Sequence, residues 1–248
     1  LSIRRQRQMC IRDRGEEIAR IAHDQGALFV VGVDPTSLGV LTPPSEYGAD
    51  IVCGEAQPLG NHMHFGGGVC GFIASRGEER YVAEYPTLLI SAAPGTRSGE
   101  IGFGQCTHGR TSYVKRDTSP DYIGTTQWLW GITAGVYMAL MGPQGMRDLG
   151  EAIMQKSHYA MRRLSQVPGV KAPLFQSVHF KEFVVNFDGT GKTVRQINEG
   201  LRSRGIFGGL DLSEDFPTLG QSALYCVTEI HTITDIGKLV RGLEEVLR

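Results

Sequence analysis

Apolar residues recur at strand or helix spacing along most of the chain. The run ALFVVGVD over residues 27–34 is continuously apolar, is of strand length, and ends at Asp34 and Pro35. A strand that is apolar on both faces is typical of the interior of a parallel sheet covered by helices. The runs GADIVCGEA, GVCGFIAS and YPTLLIS predict three further short strands. Together these strands indicate an α/β layer architecture.

A helix is predicted on each side of this group of strands. GEEIARIAHDQG places Ile18, Ile21 and Ala22 on one helical face, and Gly26 is suited to a left-handed C-terminal position. Ser119 and Pro120 are suited to the N-cap and first turn of a second helix, which runs to the break at GPQG. Its candidate core stripe has helical spacing and comprises Leu129, Ile132, Val136 and Leu140. Because other faces of this helix are also apolar, we expect it to be buried, against the sheet or against another subunit.

The hydrophobic pattern also predicts an irregular segment and a separate C-terminal domain. Residues 94–119 are rich in Gly, Ser, Thr and charge, which predicts an irregular surface segment. From residue 172 onward a strand–helix–strand–helix pattern predicts a small α+β domain over 172–248. The inward positions of its two helices are Val194, Ile197 and Leu201, then Ile236, Leu239, Val240, Leu243 and Val246. Residues 15–171 are then the C-terminal part of a large α/β domain with its connecting helices.

Composition narrows the class of protein. The 248 residues carry a formal net charge of -1, which gives no reason to expect nucleic acid or an anionic membrane as a partner. No apolar run reaches the roughly 18 residues of a membrane helix. Five scattered cysteines suit a reducing cytoplasm better than a disulfide framework. Residues 1–14 hold five arginines without periodicity, and we expect them to be a non-native extension.

The stretch GEAQPLGNHMHFGGGVCGF over residues 54–72 is the most unusual part of the sequence. His62 and His64, near Cys53 and Cys70, offer zinc-ligand types without zinc-finger spacing, so buried cysteines and ordinary loop histidines are the favoured interpretation. The glycines Gly66, Gly67 and Gly68 suit either phosphate contact through backbone N–H groups or a tight turn.

Asp34 is a further candidate because it follows the first apolar strand. Ligand-binding groups in α/β sheets lie at the carboxyl ends of strands. The alternative is a structural cap of the turn Pro35–Ser37, and we prefer that alternative.

A long motif adds a family resemblance. The pattern DPxSLGxLxPPxExGADIVxGExQPLG is matched from Asp34 to Gly60 almost without a break. In this motif the chain resembles glycine dehydrogenase (decarboxylating) subunit 1, the α subunit of the two-subunit P-protein of the glycine cleavage system. The resemblance extends through ITAGVYMALMGPQGM and GIFGGLDLSEDFPTLGQSALYCVTEI, whereas it is poor between Pro94 and Thr126.

The resemblance implies a fold-type I pyridoxal-phosphate-transferase architecture, of which this chain resembles the C-terminal half. It also implies an oxidoreductase complex in the cytoplasm that decarboxylates glycine and passes the aminomethyl group to the lipoyl group of H-protein. A homologous P-protein subunit 2 would be the partner. A purely structural subunit that stabilises a cofactor-bearing partner is the alternative.

One difference from the family pattern indicates which of the two subunits holds the cofactor. Catalytic relatives carry, just before the glycine-rich stretch, the lysine that binds pyridoxal phosphate, yet the first lysine here is Lys115 and Pro58 stands at about the matching position. We therefore expect no catalytic residue and no metal ligand in this chain, and a cofactor held by the partner. The candidates for the active-site loop or cofactor contact are Asp34, Gln57, His62, His64, Gly66, Gly67 and Gly68.

Overall fold

A computed structural model of the chain describes residues 14–63, 70–120 and 127–248. These residues form two compact units. The N-terminal unit runs up to Thr36 and resumes over Thr42–Gly142, and the C-terminal unit comprises Ser37–Leu41 and Pro143–Arg248. Apart from Arg14, the extension predicted at the start lies outside the described residues.

Helix α1, residues 14–24, packs through small side chains. Gly26 follows it with a φ of 69°, so the left-handed C-terminal residue is confirmed. Ala19 is buried, whereas Ile18 and Ile21 are about half exposed, so the predicted inward face was wrong at these two positions. The reason is close approach, because the Ala19 methyl lies against Gly48 where a Cβ would come within 2.9 Å of it.

A three-stranded sheet is the centre of the N-terminal unit. Strand β1 (Val30–Gly32) pairs parallel with β2 (Ile51–Glu55), and β3 (Gly71–Ser75) pairs antiparallel with β2. The order β1-β2-β3 leaves β1 at an edge of the described sheet, and Val30 is 52% exposed. The parallel pairing is as expected, but the expected interior position of this strand was wrong for the described residues.

Asp50 joins three elements of this unit at the start of β2. Its buried carboxylate accepts hydrogen bonds from the Phe29 N–H (2.8 Å), from His23 Nε2 (2.7 Å) and from the Tyr81 hydroxyl (3.3 Å). Tyr81 lies in α2 (Glu79–Val82). The bond from the Phe29 N–H is the largest cause that lowers the pKa of Asp50.

The second strand of a β-hairpin lies where an irregular segment was predicted, whereas the first strand overlaps the predicted strand YPTLLIS. Strands β4 (Ile90–Pro94) and β5 (Ile101–Gln105) pair antiparallel, and a short helix α3 (Ser112–Lys115) follows. The prediction over 94–119 was wrong here because glycines alternate with Ile101 and Phe103 and obscure the strand pattern.

Helix α4 (Gln127–Leu164) is interrupted at Gly142, where φ is 63° and ψ is 178°, so the predicted break at GPQG is confirmed. Pro120 lies in a bend rather than in the first turn of the helix, and residues 121–126 lie outside the described part.

The part of α4 before the break exposes the stripe that was expected to be buried. Its exposed side chains are Leu129 at 64%, Ile132 at 64%, Val136 at 62% and Leu140 at 87%. The packed face instead carries Ala134, with Trp130 and Tyr137 half-buried beside it. A predicted stripe of core spacing that stays exposed is typical of a contact surface.

The C-terminal unit is an antiparallel sheet with two helices. Its strands have the order β6-β8-β7 and its helices follow β6 and β8. The elements are β6 (Glu182–Asn186), α5 (Val194–Arg202), β7 (Leu210–Asp211), β8 (Ser222–Cys226) and α6 (Ile233–Leu247). The two-residue β7 was not predicted.

The core of this unit confirms the predicted inward residues of both helices. Val194, Ile197 and Leu201 are fully buried in α5; in α6, Ile236, Val240, Leu243 and Val246 are buried, and Leu239 packs against them. Both helices begin with a capping box, formed by Thr193 with Gln196 and by Thr232 with Asp235. Residues 160–172 contribute to the same core, and the domain boundary at 172 stays a prediction.

No helix among the described residues is long and apolar enough to cross a membrane.

The Asp50 network predicts an acid-sensitive contribution to stability. The native pKa of Asp50 lies below the unfolded value of about 3.9, so the contribution is present above that pH and is lost as pH falls through the native pKa. Asp50→Asn should therefore reduce the urea midpoint at pH 7 and make the fall in midpoint below pH 5 shallower. Asp24→Asn, which removes only an exposed ion pair with Arg20, is the control and should change little. Equal acid dependence in Asp50→Asn and the original chain would contradict the network.

Candidate active-site loop

The two parallel strands bring Asp34 and the residues that follow β2 to one edge of the sheet. The Val33 N–H donates to the Cys53 carbonyl at 2.9 Å, so the chain beyond β1 continues beside the end of β2. A Cβ at Gly54 would lie 2.2 Å from the Val33 carbonyl oxygen, so only glycine permits this approach. Asp34 and Glu55 consequently lie after neighbouring carboxyl ends, where α/β sheets bind ligands.

Asp34 caps the turn that follows it. Its Oδ1 accepts hydrogen bonds from the Thr36 N–H at 2.9 Å and from the Thr36 hydroxyl at 2.7 Å. These bonds are those of an Asx-turn, in line with the structural interpretation preferred from the sequence. A role for Asp34 toward a cofactor stays a prediction.

Glu55 holds both ends of the glycine-rich loop. We define this loop as residues 56–70, of which 64–69 lie outside the described part. The Oε1 atom of Glu55 accepts from the Gln57 N–H and from the Cys70 N–H, both at 3.0 Å. The Ala56 N–H donates in addition to the Cys70 carbonyl at 2.6 Å. One carboxylate oxygen therefore clamps the start and the end of the loop together.

The first residues of the loop form a closed turn. The Gln57 side-chain amide donates to the Asn61 carbonyl at 2.8 Å, and the Asn61 N–H donates to the Gln57 carbonyl at 3.2 Å. The Asn61 side chain is buried, and its Nδ2 donates to the carbonyls of Ala56 (3.2 Å) and Trp130 (3.3 Å). Asn61 thus fastens the turn to α4.

Gly60 allows this turn to contact the helix. Its φ of 79° is left-handed, and an added Cβ would come 2.8 Å from the ring of Tyr137. The close packing of the turn on α4 therefore depends on the missing side chain.

The remaining candidates are either exposed or outside the described part. His62 is exposed, and the next residue, Met63, is 78% exposed. His64, Gly66, Gly67 and Gly68 lie outside the described residues, so their proposed roles stay predictions. Within the described ranges, no group of three or more His, Cys, Asp or Glu side chains could hold a metal ion.

Cys70 is a buried thiol at the end of the loop. Burial raises its pKa, and the neighbouring Glu55 carboxylate raises it further. A raised pKa keeps the sulfur protonated and unreactive near neutral pH.

Glu55 and Asn61 were missed as organising residues. Glu55 could have been found from the sequence, because it stands at the end of the predicted strand GADIVCGEA, as Asp34 stands at the end of the first strand. Nothing local marks Asn61, because its partner Trp130 is 69 residues away in the chain.

Pyridoxal phosphate cannot be anchored covalently by this part of the chain. Imine formation needs a lysine amine, and residues 1–114 contain none. Pro58 lies inside the closed turn, whose backbone and amide groups bond to one another. The residues present therefore do not fit the cofactor-binding lysine site.

Comparison with known proteins decides the family. The model of the glycine cleavage system P-protein family matches residues 10–243. The chain belongs to the glycine cleavage system P-protein family. The "Probable glycine dehydrogenase (decarboxylating) subunit 1" of Staphylothermus marinus is 41% identical over 96% of this chain and 50% of its own length. The chain thus spans about half the length of the curated P-protein relatives that it matches.

Solved structures agree on the fold of this P-protein family member. A crystal structure of glycine decarboxylase (P-protein) in inhibitor-bound form has a TM-score of 0.82 and 33% identity, covering 94% of this chain and 51% of the other. A NifS-like protein from Rickettsia africae has a TM-score of 0.61 and 14% identity, covering 94% and 57%. The predicted α/β fold of the fold-type I pyridoxal-phosphate enzymes is confirmed.

The bonds of Asn61 predict a measurable loss of stability. Asn61→Ala leaves the carbonyls of Ala56 and Trp130 without their side-chain donor, which should lower the free energy of unfolding by about 1–3 kcal/mol. Met63→Ala, at an exposed position of the same loop, is the control and should stay within about 0.5 kcal/mol of the original chain in urea unfolding. Equal effects of the two substitutions would show that the turn is not fastened in this way.

Proposed function

We propose that this chain acts in a glycine decarboxylase as the subunit that does not anchor the cofactor. The whole complex moves the aminomethyl group of glycine to the lipoyl group of H-protein and releases carbon dioxide. Family membership and the names of the relatives, which are glycine dehydrogenase subunits, support this activity.

The observation that carries the division of roles is the missing amine. No lysine precedes Lys115, and Pro58 occupies the turn where the family resemblance places the lysine. Pyridoxal phosphate, when bound, supplies the electron sink for decarboxylation. In this proposal a homologous, lysine-bearing subunit 2 holds that cofactor, and the relatives' designation as subunit 1 supports such a partner.

The residues of this chain then shape the surroundings of a neighbouring site. Gln57 and His62 follow the carboxyl end of β2, in a segment that Asn61 fixes to α4. A fixed turn presents its side chains without an entropic cost at each turnover, which favours a positioning role. For Gly66, Gly67 and Gly68 we keep the role toward the cofactor that the sequence suggests as part of this proposal.

A purely structural subunit is the second candidate. The self-contained bonding of the Gln57–Asn61 turn favours it, because these polar groups already have partners within the chain. The exposed apolar stripe of α4 suits either candidate, since both require contact with a partner.

We also propose a cytoplasmic location. The described cysteines Cys53, Cys70, Cys106 and Cys226 are free thiols, which supports a reducing compartment.

Covalent trapping tests the division of roles. The assembled complex is incubated with pyridoxal phosphate, reduced with borohydride and digested, and the modified lysine is located by mass spectrometry. We expect the adduct on the partner chain alone, since an imine needs a lysine at the pocket. A complex in which the modified partner lysine is replaced by arginine is the control and should give no specific adduct. A stoichiometric adduct on Lys115 or on any later lysine of this chain would contradict the proposal.

A further inference from the structure

We infer that Glu55 is a positioning residue for the two described ends of the glycine-rich loop, and that its carboxylate fixes the backbone of Gln57 and Cys70 at the sheet edge. The geometry of this clamp stands by itself, whereas its consequence for turnover rests on the proposed function. Glu55 touches neither substrate nor cofactor in this inference and acts through the loop that it holds.

The hydrogen bonds of Glu55 have the geometry of a clamp rather than of a local cap. One oxygen, Oε1, receives two backbone N–H groups that are thirteen residues apart, those of Gln57 and Cys70, at 3.0 Å each. A charged acceptor roughly doubles the strength of such bonds compared with a neutral one. Both bonds must break before the ends of the loop can separate.

The strands below the clamp bring its partners into register. Glu55 is the last residue of β2 and pairs with Gly71, the first residue of β3, in the antiparallel ladder. The Ala56 N–H continues this pairing to the Cys70 carbonyl. The side chain of Glu55 therefore accepts the bond from the Cys70 N–H just beyond the last strand pair.

The clamp and the closed turn act on the same residues. Gln57 receives the clamp through its N–H and closes the turn through its side chain, whose acceptor is the Asn61 carbonyl. Loss of the clamp leaves the N–H groups of Gln57 and Cys70 without their acceptor, while Asn61 still holds the far end of the turn on α4. Release should therefore be local to the two ends of the loop.

The accessibility of the Cys70 thiol shows whether the end of the loop has been released. Its side chain is 6% exposed and lies in direct contact with the clamp through its own N–H. Cys53 lies within β2 and is half-buried, so it serves as the reference for general opening of the sheet. The experiment measures the rate of iodoacetamide modification of each cysteine by peptide mass spectrometry in the native chain.

Two pairs of chains, each pair with the same charge at position 55, distinguish the loss of the hydrogen bonds from the loss of the carboxylate charge. Glu55→Ala and Glu55→Gln both remove the charge that raises the pKa of Cys70, yet only glutamine retains an acceptor oxygen. Glu55→Asp and the original chain both keep the charge, yet the aspartate is too short to reach both N–H groups. Glu46→Gln, at an exposed glutamate of the same unit, is the matched control.

We expect Cys70 to be modified faster in the variants that lose the hydrogen bonds of Glu55. Its modification should be faster by about tenfold or more in Glu55→Ala than in Glu55→Gln, and faster by severalfold in Glu55→Asp than in the original chain, with Cys53 unchanged. Rates for Cys70 that agree within twofold in both pairs would overturn the inference, and so would equal acceleration of Cys53 and Cys70. If Glu55→Ala does not unfold cooperatively, the aspartate pair alone decides.

Turnover of the assembled complex gives the second readout. Glu55→Ala should lower glycine decarboxylation without loss of assembly, and Glu55→Gln should restore part of it, whereas a scaffold role predicts no change in either variant. A complex of original chains that shows no turnover would contradict the proposed function, and the Cys70 rates would still decide the clamp.

Discussion

One carboxylate oxygen at the end of β2 holds the candidate site in its shape. Glu55 Oε1 joins the two described ends of the glycine-rich loop, because it accepts hydrogen bonds from the N–H groups of both Gln57 and Cys70. Glycine-rich segments lose much conformational entropy on ordering, so a fixed form needs an enthalpic anchor. The turn Gln57–Asn61, the contact of Gly60 with Tyr137 and the burial of Cys70 all lie between or beside the bonds of this anchor.

The clamp also gives a physical reason why a P-protein chain can keep the loop without the lysine. The described ends of the loop are held by strand pairing, by Glu55 and by Asn61, and none of these contacts involves a cofactor. In the proposed function, such a chain retains this geometry while a partner holds the cofactor covalently. The exposed stripe on α4 agrees with the proposed function, in which this chain contacts a second subunit through apolar surface.

Much of this architecture follows from local patterns. The inward faces of α5 and α6 were predicted because 3.6-residue spacing and a single core agree there. The same spacing selected the wrong face of α4, since Leu129, Ile132, Val136 and Leu140 are equally suited to a core and to an interface. The β4–β5 hairpin was missed because glycine interrupts its alternation, and Asn61 was missed because its bond to Trp130 joins residues far apart in sequence. Asp34 was found because it follows an apolar strand, and Gln57 was found through the family motif, whereas the hydrogen bonds that hold them join atoms whose proximity no local pattern shows.

Amide hydrogen exchange tests the central claim most directly. The N–H groups of Gln57 and Cys70 both donate to Glu55, so in the native chain both should exchange at least about tenfold more slowly than in an unstructured peptide, without any cofactor present. Exchange of these two amides at the rate of the unstructured peptide, while the amides of β2 remain protected, would contradict the account.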